Sequence, residues 1–268
     1  MKLFDSHCHL DDRSYESELD AVIERARAAG VTAVMAVGID EPSSLRVVEI
    51  SDRYSGVFAA VGVHPHDARG CSDAILHRLE QAADHPKVRA WGETGLDYNR
   101  MFSPRDAQEK WFLRQLEIAG ETGLPLIFHE RDSGGRFLAL LRESGWNGLE
   151  GVVHCFSGSP TELDAYLDLG LHIGITGILT VKGRGAGLRE LVKRIPADRL
   201  LVETDAPYLT PVPERNKHRR NEPAFVQSTF LKLAEVRGDD PARLAARIWT
   251  NTCRLFRIEE SDLAEVAG

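Results

Sequence analysis

Eight short apolar runs, each followed by a longer stretch of helical periodicity, constrain this chain more than any other feature. The runs are Lys2–His7, Thr32–Gly38, Val57–Val63, Val88–Glu93, Leu126–His129, Gly151–Cys155, His172–Ile175 and Leu200–Glu203. They are rich in Val, Ile and Leu with little polar alternation, which suits a parallel sheet covered by helices. The helical stretches are Glu16–Ala29, Ser43–Tyr54, Ala74–Ala83, Arg105–Thr122, Gly135–Ser144, Pro160–Leu169, Gly187–Ile195, Ala224–Arg237 and Pro241–Phe256. Gly30, Gly123 and Gly170 read as glycines just past a helix C-terminus. Eight strand–helix units are what a closed (β/α)8 TIM barrel requires, and such a barrel takes roughly 250 residues. The 268 residues show no composition break, long linker, internal repeat or low-complexity tract. The pattern therefore predicts an α/β chain forming one barrel domain over residues 1–260, with 261–268 as a C-terminal tail.

In a parallel barrel every strand C-terminus opens on one face, and the active site sits there. His7 and His9 close the first run, Glu93 the fourth, His129 the fifth and His154 the sixth, while Asp205 follows the eighth. His7 and His9, two positions apart at a strand end, point to the same side. Each of these residues has an ordinary explanation when taken singly. A strand-end His can be a structural hydrogen-bonding group, Glu93 can pair with an Arg, and Asp205 can cap the turn into Ala206-Pro207. Six together on one face point instead to metal.

Four imidazoles and two carboxylates exceed what one four-coordinate ion needs. They suit two divalent ions about 3.5–4 Å apart with a carboxylate between them. Glu93 is the expected bridge, with His7, His9 and Asp205 completing one shell and His129 and His154 the other. Nitrogen and oxygen donors are compatible with Zn, Mn, Ni or Co, and also with Mg.

The formal net charge of −8 excludes a general nucleic-acid coater, so a polyanion must be held by local cations. The most basic window, residues 213–223, begins soon after Asp205 and so hangs over the same face; Arg215 and Lys217 are its candidate phosphate contacts. Charge runs are more often solvated surface. His64, just past the third run, and Arg131, two residues after His129, are further candidate substrate contacts. Their ordinary alternatives are a structural hydrogen bond and an ion pair with Asp132. Glu203 should point the same way as Asp205 and orient a ligand from behind. Tyr98 and Asn99 fall on a loop over the mouth, where Tyr98 either stacks on a base or packs the loop.

Cys8, Cys71, Cys155 and Cys253 form no CxxC pair and no zinc-knuckle spacing, which suggests a reducing compartment. Cys8 and Cys155 adjoin ligand histidines and should face away from them as small buried hydrophobes. The N-terminus runs straight into a strand pattern, with no signal-peptide segment and no membrane span, so a cytoplasmic protein is expected.

These residues resemble the TatD family of metal-dependent deoxyribonucleases, within the amidohydrolase-like barrels. The resemblance rests on Asp5-Ser6-His7-Cys8-His9-Leu10, Gly62-Val63-His64-Pro65, Gly92-Glu93-Thr94-Gly95-Leu96-Asp97-Tyr98, Phe128-His129-Glu130-Arg131-Asp132, His154-Cys155-Phe156-Ser157-Gly158 and Glu203-Thr204-Asp205-Ala206-Pro207-Tyr208-Leu209, in the family's order. Asn251 and Phe256 extend it to the last helix. It implies a TIM-type barrel, metal-ligand roles for His7, His9, Glu93, His129, His154 and Asp205, and divalent-metal-dependent DNA hydrolysis, often 3′-to-5′ exonucleolytic. One stretch departs from the family pattern Arg-Gly-Lys-x-Asn-x-Pro: Asn216 stands where Gly is expected, and the run to Asn221 is about two residues longer.

The expected function is therefore phosphodiester hydrolysis at a two-metal centre, with Glu93 and Asp205 as catalytic residues and single-stranded DNA ends as substrate. A monomer with no membrane partner is expected. Two alternatives share the residues. The same barrel can cleave an amide or ester, such as a D-aminoacyl-tRNA ester. A zinc-stabilised binding protein without turnover is the other, although six ligands without a thiolate fit an open site better.

Overall fold

Strands β1 (Leu3–Cys8), β2 (Val31–Val37), β3 (Val57–Val61), β4 (Val88–Asp97), β5 (Leu126–Arg131), β6 (Gly151–Val153), β7 (His172–Ile175) and β8 (Leu200–Val202) pair in parallel and in sequence order in the computed structural model. Residues 1–145 and 149–263 are described. The ring closes beyond β8, where Asp205 N donates to His7 O (2.9 Å) and His9 N to Ala206 O (2.7 Å). The chain is one (β/α)8 barrel domain.

Around the barrel lie α1 (Leu19–Ala28), α2 (Glu41–Arg53), α3 (Asp73–Ala83), α4 (Arg105–Thr122), α5 (Arg136–Glu143), α6 (Pro160–Asp168), α7 (Ala186–Leu191), α8 (Val226–Arg237) and α9 (Pro241–Leu255), followed by the short α10 (Glu260–Leu263). Local sequence sets their ends. Asp40–Ser43 and Ser159–Glu162 form reciprocal capping boxes, each with a proline in the first turn. Gly123, at φ 69°, ends α4 in the left-handed conformation that glycine adopts without strain. The helix expected over Gly187–Ile195 spans Ala186–Leu191 instead.

Alternation along the strands divides the core in two. Phe4, Ala33, Met35, Phe58, Ala60, Ala90, Ile127, Val152 and Leu201 fill the barrel interior, and Leu255, Phe256 and Ile258 from the end of the chain close its lower end. Phe256 meets Phe4 at 6.3 Å between ring centroids. Residues of opposite parity, such as Leu3, Ala36, Val57 and Ala59, join the larger layer beneath the helices. There Phe112, Phe128 and Phe137 interlock at 5.2–6.0 Å. Burying one such ring contributes roughly 2–3 kcal/mol, so both layers are strongly cohesive.

Strand boundaries differ from expectation chiefly at the upper, C-terminal end. The fourth strand does not stop at Glu93; it continues to Asp97, paired with β5 through Leu96↔Glu130 and Asp97↔Arg131. Strands β6 and β8 end at Val153 and Val202, so His154 and Glu203 stand just beyond them. Of the expected tail, residues 261–263 belong to α10, and Leu263 packs on the lower plug. Residues 264–268 lie outside the described residues. Among the described residues, no helix is long and apolar enough to cross a membrane.

Candidate metal centre

The six candidate ligands converge at the upper end of the barrel. His129 and His154 sit two residues after the interior residues Ile127 and Val152, so simple alternation turns them inward, whereas Asp205 lies three residues beyond the end of β8, at φ 57°. His7 and Glu93 each sit three residues after an interior residue, Phe4 and Ala90, and plain alternation would turn them outward. Pairing irregularities correct this. One extra residue is accommodated between Asp5 and Cys8 against β2, and one between Trp91 and Thr94 against β5. Bulges of this kind re-aim side chains beside sites.

The Glu93 carboxylate stands between two groups of imidazoles. Its Oε2 lies 3.5 Å from His7 Nε2 and 4.0 Å from His9 Nε2. Its Oε1 lies 2.8 Å from His129 Nδ1 and 3.1 Å from His154 Nε2. On the first side, His7 Nε2 and His9 Nε2 are 3.4 Å apart, and Asp205 Oδ1 is 3.9 and 3.4 Å from them. Four donors about 2.1 Å from a tetrahedral ion stand roughly 3.4 Å from one another, so this spacing fits a shared cation. His7–His9–Glu93, Glu93–His129–His154 and His7–His154–Asp205 each keep their ligand atoms within 4.8 Å of one another.

A buried acceptor behind two of the imidazoles fixes the nitrogen each presents, and a third has a carboxylate at ion-pair distance behind it. His9 Nδ1 is 3.0 Å from Val37 O; a carbonyl accepts only from a protonated nitrogen, so Nδ1 is the donor and Nε2 is the nitrogen turned toward the cluster. His129 Nε2 is 3.2 Å from Asp97 Oδ2, which turns Nδ1 to Glu93 Oε1 at 2.8 Å. His154 Nδ1 is 3.3 Å from Glu203 Oε1. Glu203 is fully buried and also accepts from Cys155 N (2.5 Å) and Ser6 Oγ (3.2 Å). Such acceptors orient metal-binding histidines.

Asp97 is a residue of the candidate site that sequence reasoning missed. It is buried, it holds His66 Nε2 at 2.7 Å as well as His129, and its Oδ1 takes Asn99 N and Arg100 N. Its spacing of four from Glu93, the same-face interval on a strand, was the available signal. Placing residues 95–99 on a loop hid it.

The charges are mutually supporting. Burial opposes ionisation of Glu93, but His154, His64 and His7 and the His129 hydrogen bond outweigh it and hold the carboxyl well below its ordinary range. Asp205 is likewise lowered: burial opposes its charge, and His9, His154 and His7 prevail. Burial works against a charged His9, yet the Asp205 hydrogen bond pushes it up to about 9. His64 behaves oppositely; burial carries it well below its usual value, against the pull of Glu93. Ionised carboxylates that favour positive charge, with imidazole nitrogens turned toward them, form a donor set suited to a divalent cation.

The remaining candidates spread over the same face. His64 Nε2 is 3.5 Å from Glu93 Oε1. Arg131 lines a cavity of about 730 Å³ with His129, His154, Asp205 and Arg184, and among the described residues it has no ion pair. Asp132 accepts instead from Asn99 Nδ2. Tyr98 is tied to Glu109 at 2.6 Å and packs the loop. Cys155 departs from expectation: β6 has ended, the residue takes φ 48°, and it lines the cavity.

The basic window divides. Asn221 is buried and its Nδ2 clamps Thr204 O (3.0 Å) and Tyr208 O (2.6 Å), fixing the turn that carries Asp205. Arg220 and Glu222 pair with Glu18 and Arg25. Arg215 lines a depression beside Tyr208, whereas Lys217 lines another with Glu18, Arg25 and Phe225.

A family model described as TatD related DNase matches residues 4–257. The chain is 42% identical over 259 residues to the 3′-5′ ssDNA/RNA exonuclease TatD of Klebsiella pneumoniae (strain 342), covering 96% of this chain and 98% of that one. It is 39% identical over 256 residues to the uncharacterized metal-dependent hydrolase YabD of Bacillus subtilis (strain 168), covering 96% and 99%. The crystal structure of YjjV, a TatD homolog from Escherichia coli K12, superposes with a TM-score of 0.87 at 30% identity, covering 96% and 98%. This chain belongs to the TatD-related DNase family.

Proposed function

We propose that this protein is a divalent-metal-dependent nuclease that hydrolyses phosphodiester bonds of single-stranded nucleic acid from the 3′ end at a two-metal centre. The observation that carries this reading is the division of the two Glu93 oxygens between the His7–His9–Asp205 and His129–His154 groups. The relatives named as 3′-5′ ssDNA/RNA exonucleases support the substrate class and polarity.

Bound divalent ions supply Lewis-acid stabilisation of phosphoryl oxygens and lower the pKa of water. The chain's own residues do the rest. His7, His9, Glu93, His129, His154 and Asp205 would hold the ions, with the Glu93 carboxylate standing between the two groups of donors. Asp205, kept ionised by its imidazole neighbours, accepts the proton of the water that attacks phosphorus. His64, beside Glu93 Oε1, fixes a phosphate oxygen, and Arg131 and Arg215 hold the strand. Glu203 orients His154. All six donors come from one chain, which supports a centre complete in a monomer. Four free cysteines support a reducing, cytoplasmic setting.

The test is a time course on single-stranded DNA labelled at either end, across Mg, Mn, Zn, Ni and Co, for the wild type and Glu93→Gln. Early loss of a 3′ label, a ladder from the 5′ label and a fall in turnover on the order of a hundredfold or more in the variant are expected. Unchanged turnover in Glu93→Gln would overturn the assignment.

A further inference from the structure

Beside the metal centre lies a second cavity, of about 460 Å³, whose wall is basic and aromatic. Arg184, Arg215, His218 and Arg219 line it together with Tyr208, and no carboxylate does. In a chain of net charge −8 that segregation is informative. Among the described residues, none of the three guanidiniums has an ion-pair partner. The cavity adjoins the one at the metal centre: Ile178, Arg184 and Leu209 line both.

The two loops that form it are braced. Arg189 donates to the carbonyls of Leu179 (2.9 Å) and Val181 (3.1 Å), which fixes the turn bearing Arg184. A Cβ at Gly177 would stand 2.4 Å from Leu209 O, so only glycine lets the β7 loop lie against the β8 loop. Val212 N donates to Thr180 Oγ1 across the same seam (2.8 Å). Tyr208 is held through its carbonyl by Asn221, yet the residue is 56% exposed, and its ring centroid is 6.0 Å from that of His9. A large ring kept in water on a fixed backbone, beside unpaired guanidiniums, offers a face for a base and forks for phosphates.

We propose that this cavity is the docking subsite for the nucleotides immediately 5′ of the bond that is cut: Tyr208 stacks on a base, and Arg184 and Arg215 hold the adjoining phosphates. The subsite rests on the nuclease reading above and adds to it. It requires unpaired bases, because a base in a duplex has no free face for Tyr208. It also requires substrates longer than the cut nucleotide to bind more tightly than short ones.

Steady-state kinetics on a short single-stranded DNA and on thymidine 5′-(methyl phosphate), which carries no base 5′ of the cut bond, test this for Arg184→Ala/Arg215→Ala, Tyr208→Ala and Tyr208→Phe. The arginine pair and Tyr208→Ala should raise KM for DNA about tenfold relative to the small diester, with kcat nearly kept, and Tyr208→Phe should rescue stacking. The arginine pair should also flatten the dependence of log(1/KM) on log[salt] by roughly 0.7 for each phosphate no longer held. A wild type that degrades DNA alongside variants whose KM for DNA is unchanged, or that are impaired equally on both substrates, would remove the subsite alone. A wild type that cleaves the small diester and leaves DNA intact would remove the nuclease reading, and the subsite with it.

Discussion

Asp97 and His129 meet at 3.2 Å, Oδ2 to Nε2, across the paired upper ends of β4 and β5. The carboxylate fixes the imidazole so that Nδ1 faces Glu93. Asp97→Asn isolates that effect, because its amide oxygen can still accept Asn99 N and Arg100 N and keep the loop in place. We expect metal affinity to fall about 10- to 100-fold with the fold intact, read by competition with a chromogenic chelator. Wild-type affinity in the variant would show that Asp97 only pins the loop.

Chelation should silence the enzyme without unfolding it. Backbone bonds close the barrel, and two apolar layers hold it, so the fold does not depend on the ions. After EDTA, far-UV circular dichroism should be unchanged while turnover is lost and Tm drops by a few degrees, as for any ligand that binds only the native state. Collapse of the dichroism signal on chelation would favour the zinc-stabilised binding protein instead.

Gly174 in β7 faces the Glu203 carboxylate so closely that an added Cβ would stand 2.5 Å from Oε2 and 2.6 Å from Oε1. Glu203 has little freedom to retreat, since Ser6, Cys155 N and His154 all bear on it. Gly174→Ala should therefore cost about 1–3 kcal/mol in urea unfolding and also weaken metal binding. A variant that loses stability but binds metal normally would sever the link between Glu203 and the centre.

Two of the ligand positions could be read from the sequence because they obey strand alternation: His129 and His154 follow interior residues by an even count, whereas Asp205, at φ 57° beyond the end of β8, was found from residue type and position. His7 and Glu93 were found from residue type and strand position, and their inward direction depends on irregularities in β1 and β4 that leave no signature in hydrophobic pattern. Eight strands and the Gly123 helix stop were legible for the same local reasons. Asp97 was not, because glycines at 92 and 95 interrupt an otherwise continuous strand. Nor was Asn221, whose clamp on Thr204 and Tyr208 joins segments with no sequence pattern in common.

His172, at the start of β7 and only 2% exposed, should make the fold acid-sensitive independently of the metal centre. Burial first, and then Arg199 and Arg254, bring its pKa down to about 4. In the unfolded chain the ordinary value is about 6.5. Between these values the unfolded state binds more protons, so stability falls as pH drops from about 6.5 to 4, by on the order of 3 kcal/mol. Urea midpoints across that range should show the decline in the wild type and a flatter profile in His172→Leu. Parallel profiles would assign the acid sensitivity elsewhere.

The joining of Asp205 N to His7 O means that the first and last strands must meet before the ligand set is whole. A nascent chain leaving the ribosome therefore carries His7 and His9 long before Asp205 exists to stand beside them. The ligand set is therefore whole only once the ring has closed, and any cation that needs all of its donors must wait for that closure.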